Sequence, residues 1–167
     1  LVYRTPGATN DWDIWVMPLE SPDRPWAFAA SSADERDARI SPDGRWITYA
    51  VIERGQSEVV LQEFPKAAAR WQLSQGGGSQ PQWRRDGKEL FYLTRDNKLV
   101  AMNIDITGQV PVYGTPNVLF DTGITSLDRE AYGKQYAVFN DGQRFLLQRR
   151  NDEAIPITVI LNWKPGS

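Results

Sequence analysis

Apolar residues along this chain come in short bursts rather than long stripes. Ile14–Met17 is followed by Trp46–Val51, Val59–Leu61, Leu90–Leu93, Leu99–Met102, Val118–Phe120, Phe145–Leu147 and Ile157–Leu161. Each burst runs three to six residues, is rich in β-branched and aromatic side chains, and lies between Gly, Pro, Asp or Asn, which predicts strands. No sustained 3.6-residue periodicity occurs, and Pro65 argues that the Ala67–Arg70 stretch is a loop rather than a helix.

One polar phrase sets the register of these strands. It reads Ile40-Ser-Pro-Asp-Gly-Arg-Trp-Ile-Thr-Tyr49, then Trp83-Arg-Arg-Asp-Gly-Lys-Glu-Leu-Phe-Tyr92, then Val138-Phe-Asn-Asp-Gly-Gln-Arg-Phe-Leu-Leu147. The Asp-Gly pairs are 43 and 55 residues apart. Asp-Gly favours a tight hairpin, because Gly accepts positive φ and Asp bonds nearby backbone N–H groups. A hairpin recurring at this interval marks propeller blades, each of strands A to D with the Asp-Gly turn between A and B. The reading is an all-β, open arc of about four blades, near 1–30, 37–75, 79–121 and 134–164, in a single partial domain. Leu1-Val2-Tyr3 aligns with Ile47-Thr48-Tyr49, so the first blade begins at strand B, and the last ends at strand C. That counts about 14 antiparallel strands, with both terminal blades incomplete.

Composition narrows the chemistry. The 167 residues contain neither Cys nor His, which removes disulfides, thiolate catalysis, common zinc sites and Ser-His-Asp triads. The net charge of −2 offers no concentrated basic face for nucleic acid. No run of 18 apolar residues exists to form a membrane-spanning helix. Leu1–Arg4 does not read as a signal peptide, and the absence of an initiating Met suggests a piece of something longer.

The phrase Ser41–Trp46 with Tyr49 resembles the WD-like repeat of TolB-type propellers. Glu58–Pro65, Trp71–Ser74, Gly76–Tyr92 and the ending Pro156–Trp163 resemble the last blades of propellers fused to bacterial serine/threonine kinase and sensor domains. The resemblance implies a non-enzymatic interaction or sensing module of a larger bacterial protein, on the extracytoplasmic side of the membrane. It implies neither cofactor nor metal. The alternative is the propeller portion of a prolyl-oligopeptidase-like hydrolase whose catalytic domain lies elsewhere; no Gly-x-Ser-x-Gly elbow occurs here.

Candidate sites follow from the blade register. Asp43, Gly44, Asp86, Gly87, Asp141 and Gly142 read as structural turns. Gly76–Ser79 lacks the Gly-Lys-Ser/Thr ending of a phosphate loop and reads as a flexible connection from strand D to strand A. Asp11 and Asp13 read as a solvated loop capping strand C, too sparse a pair for calcium. Trp15, Trp46, Trp83 and Trp163 should pack between blades, whereas an exposed Trp12, Trp26 or Trp71 would mark a partner surface. A binding face is expected on the B–C and D–A connections, with Trp12, Arg54, Arg95, Asp96, Leu127 and Tyr132 as candidate contacts. The long 121–134 segment is the first choice for a protein partner. The unpaired arc ends also predict self-association, two arcs completing one ring.

Overall fold

A computed structural model describes residues 1–7, 11–124, 133–148 and, as backbone, 159–160. The chain divides into two compact units, Leu1–Pro81 and Gln82–Ser167. All fifteen regular elements are strands, and no helix occurs among the described residues.

The first unit carries two antiparallel sheets. One is ordered β1 (Val2–Pro6), β2 (Trp12–Val16), β3 (Trp26–Ala29). The other is ordered β4 (Asp34–Ile40), β5 (Trp46–Glu53), β6 (Gln56–Glu63), β7 (Arg70–Gln72). Strand alternation decides which side chains meet. Ile14, Val16 and Phe28 of the first sheet pack on Ile47, Tyr49, Val51 and Val60 of the second. Phe28 stands edge-on to Tyr49 at 6.4 Å. Burial of each such side chain contributes about 1.5–3 kcal/mol, which holds the two sheets face to face. β5 is buried on both faces along six consecutive residues, as an inner strand of stacked sheets requires. Trp46, 2% exposed, lies on the other face of β5, edge-on to Trp71.

β8 (Gly78–Trp83) carries the chain into the second unit. There β9 (Glu89–Thr94) and β10 (Lys98–Asp105) follow in the same sheet, with β11 (Val112–Tyr113) and β12 (Asn117–Asp121) both paired to β10. β13 (Tyr136–Val138), β14 (Phe145–Leu147) and β15 (Val159–Ile160) make a three-stranded sheet. Phe145 anchors this unit's core, edge-on to Phe91 at 5.3 Å and to Phe120 at 5.7 Å.

The described strands follow the expected blade pattern of about 14, with one added detail in the third sheet. Its outer strand comes in two pieces: β11 pairs at Ile104 and Asp105, β12 at Lys98 to Ala101. Gly114 and Pro116 lie between the pieces, and Pro cannot continue a ladder. Two further boundaries differ from expectation. Gly78 and Ser79 belong to β8 rather than to a loop, and Asp13 lies on β2 rather than in a capping loop.

Candidate functional site

The three Asp-Gly hairpins share one geometry. Gly44, Gly87 and Gly142 have φ of 74°, 73° and 68°, and each donates its N–H to a carbonyl three residues earlier, at Ser41, Arg84 and Phe139. The carboxylate of Asp43 accepts the N–H of Arg45 at 3.1 Å. Asp86 accepts that of Lys88 and Asp141 that of Gln143, both at 3.0 Å. The Arg84 guanidinium, 2.8 Å from Asp86, holds that carboxyl below its ordinary range. The Gln143 N–H, and then Arg144, do the same for Asp141.

The connection from β9 to β10 repeats this construction without a glycine. Asn97, at φ 65°, donates to the Thr94 carbonyl. The Thr94 hydroxyl donates to Asp96 at 2.7 Å, as the Ser41 hydroxyl donates to Asp43 at 2.6 Å. The Lys98 ammonium and the Thr94 hydroxyl hold the Asp96 carboxyl down to about 2. Asp96 is therefore engaged inside its own turn, while its neighbour Arg95 is exposed and has no partner among the described residues.

The other expected contacts fall in different settings. Trp12 opens β2, with the Arg4 guanidinium 4.5 Å from its ring centroid. Arg54 occupies a two-residue hairpin loop between Glu53 and Gln56; φ is 52° at Arg54 and 78° at Gly55. Positive φ at both positions matches the twist of the flanking strands. Trp26 is 37% exposed on β3. Leu127, Tyr132 and Trp163 lie outside the described residues.

Gly76 and Gly77 form a pinned connection, not a free one. Glu58 Oε1 accepts both of their N–H groups at 3.1 Å, and its Oε2 accepts the Ser74 hydroxyl. Their φ values of 80° and 119° explain why glycines stand there. Glu58 also shapes a cavity of about 430 Å³ on one face of β5, β6 and β7, lined by Val51, Glu53, Arg54, Gln56, Val60, Arg70 and Gln72 besides itself. The alternation of β6 puts Gln56, Glu58, Val60 and Gln62 on that face, which was readable in the sequence. That β7 would bring Arg70 and Gln72 beside them was not.

Two carboxyls near the inner strands are pushed up by burial. Glu35 is 1% exposed; the Ser31 hydroxyl donates to its Oε1, Oε2 has no partner among the described residues, and Asp13 and Asp11 raise it further. Asp37 sits at φ 59° in the β4 bulge, where burial outweighs the opposing pull of Arg39, Arg4 and Arg36. Among the described residues, no group of three Asp or Glu is placed to hold a metal ion.

No family model matches this chain, and neither does any curated protein sequence. Solved structures do. A putative TolB from Agrobacterium tumefaciens superposes with a TM-score of 0.57 at 19% identity, covering 72% of this chain and 45% of that one. A putative 6-phosphogluconolactonase from Bacteroides uniformis gives 0.58 at 15% identity, covering 95% and 46%. TolB from Acinetobacter baumannii gives 0.50 at 13% identity, covering 96% and 50%. The chain thus spans about half the length of the structures it matches. These likenesses, with the four antiparallel sheets and their repeated hairpins, identify the fold as an all-β, TolB-like β-propeller fragment.

Proposed function

We propose that this chain is a non-enzymatic propeller module that docks a protein or ligand for a larger bacterial protein. The observation that carries this is the use made of the repeated aspartates. Asp43, Asp86 and Asp141 all engage the backbone of their own hairpins, so the repeat builds scaffold. Arg54 and Arg95, at the tips of connections between strands, remain exposed and have no partner among the described residues. Rigid blades presenting variable loops are a binding architecture. The docking contacts lie on the B–C connections, Arg54 in the first unit and Arg95 in the second. Two copies of the chain assemble through their terminal blades.

The test has two parts. Purified protein is assayed against lactones, esters and glycosides, then examined by light scattering at micromolar concentration. The expected outcome is no turnover and a mass above that of the monomer. Turnover abolished by a single Asp or Glu substitution would overturn the non-enzymatic reading, and a clean monomer would overturn self-association.

A second reading is the propeller portion of a hydrolase with its catalytic residues outside this chain. The likeness to a structure named as a putative lactonase favours it. Reading the parent gene on both sides of this segment separates the two.

A further inference from the structure

We propose that Asp43 is a site of spontaneous covalent modification, where the chain isomerises through a succinimide to isoaspartate. Arg84 shields the two equivalent positions, Asp86 and Asp141, from the same reaction.

The reaction needs only the chain and water. The glycine nitrogen attacks Cγ of the preceding aspartic acid, and the new N–Cγ bond closes a five-membered imide. The carboxyl hydroxyl leaves as water, taking the amide proton. Water then opens the imide. Breaking the bond between the nitrogen and the original main-chain carbonyl leaves the main chain running through Cβ and Cγ. Glycine permits the attack because no side chain stands beside its nitrogen. The chain has three Asp-Gly bonds and no Asn-Gly bond.

Backbone geometry does not select among the three. Their glycines have φ of 74°, 73° and 68°, and a carbonyl three residues back holds each glycine N–H. The side chains do select. Both oxygens of Asp86 are clamped by the Arg84 guanidinium, at 2.8 and 2.9 Å. Asp141 accepts the Gln143 N–H on Oδ1 and Arg144 Nε on Oδ2. Asp43 takes both of its bonds, from the Ser41 hydroxyl and the Arg45 N–H, on Oδ1. Its Oδ2 has no partner among the described residues, so the carboxyl is tethered at one oxygen only. Asp86 and Asp141 are also held below their ordinary range, which depletes the neutral acid that water can leave.

Cover over the glycines runs the same way. Gly44 is exposed, and nothing lies within 4 Å of where a Cβ would stand. Gly87 and Gly142 are buried. At Gly142 the Arg84 Cδ lies 2.6 Å from the Cβ position and Phe91 Cζ 3.4 Å. Arg84 thus clamps Asp86 and roofs Gly142, and closing an imide ring needs room at both the carboxyl and the glycine. Isoaspartate at 43 would lengthen the β4–β5 turn. The bonds it strains are Ser41 N–H to the Trp46 carbonyl at 2.8 Å and Trp46 N–H to Ser41 Oγ at 3.0 Å.

The experiment ages the folded protein in mildly acidic buffer, with a second sample unfolded in urea. Samples are digested with a protease that cuts before Asp but not before isoaspartate, and mass spectrometry reads the uncut fraction at each site. In urea the three sites should react at similar rates, since the turns are gone. In the folded protein Asp43 should react at least about tenfold faster than Asp86 and about threefold faster than Asp141, because charged hydrogen bonds oppose the reaction there. Arg84→Ser, which places blade two's residue in blade three, should speed Asp86 and Asp141 together and leave Asp43 unchanged. Arg144→Gln, at an exposed contact, should speed Asp141 alone. The proposal would be overturned by Asp86 or Asp141 matching Asp43 in the folded wild type. An Arg84→Ser protein in which Asp86 keeps its rate, or in which Asp43 accelerates equally, would overturn it too, as would an unchanged Asp141 in Arg144→Gln.

Discussion

Replacing Glu58 with alanine should destabilise the first unit far more than an exposed carboxylate's removal would. Glu58 accepts from two donors buried in the fold, the Gly77 N–H and the hydroxyl of Ser74, which is 0% exposed. A buried donor left unsatisfied costs about 1–3 kcal/mol. Water can reach the remaining donors, the Gly76 N–H and the Gln56 amide, so they add little. The two buried donors together give about 3 kcal/mol. For a domain of this size, each kcal/mol lowers the melting midpoint by about 2–4 °C, so Glu58→Ala should lose about 6–12 °C. Glu58→Gln keeps the length but turns a donor toward donors, and should fall between. The control is Glu53→Ala, one pairing step away on the same face, exposed and without a partner among the described residues. It should stay within about 0.5 kcal/mol of wild type. Urea unfolding followed by tryptophan fluorescence reads all three. If Glu58→Ala cost no more than Glu53→Ala, the glycine connection would not depend on Glu58.

Three further outcomes follow from the same structure. Gly44→Ala meets open space, so its cost is the left-handed strain alone, about 1–2 kcal/mol; Gly142→Ala should cost more, because its Cβ would lie 2.6 Å from Arg84 Cδ, and paired urea melts compare the two. Phe145→Ala removes a fully buried ring contacting two others and should cost about 3–5 kcal/mol, with Phe145→Leu much milder by the same melts. Glu35 is raised in the fold, so the native state holds its proton longer than the unfolded chain, and its contribution to stability falls as pH rises from about 4.5 through the folded value. Asp96, lowered to about 2, acts oppositely: its contribution is present above about 3.8 and is lost as pH falls toward 2. In melts across pH, Glu35→Gln should flatten the decline above 4.5 and Asp96→Asn the acid limb, and an unchanged profile in either variant would refute that assignment.

The hairpins were legible because their cause is local. A Gly at positive φ and an Asp whose carboxylate accepts the N–H two residues on need nothing beyond five consecutive residues, so the sequence by itself determined the all-β class and the blade register. The turn at Asp96 also has a residue at positive φ, but that residue is Asn97 rather than Gly and the Lys98 N–H goes to the Thr94 hydroxyl rather than to Asp96, which removes the signal. The cavity on β5, β6 and β7 was not legible, because its members come from three strands whose juxtaposition depends on pairing register. Arg70 lies beside Gln62 only because β7 returns antiparallel to β6. The polar positions of β6 are ordinary for a strand, and their meaning appears only when the glycine connection folds back onto Glu58. Short-range backbone chemistry thus set the elements. Only the tertiary structure decided which side chains share a face, since that depends on contacts between residues far apart in the chain.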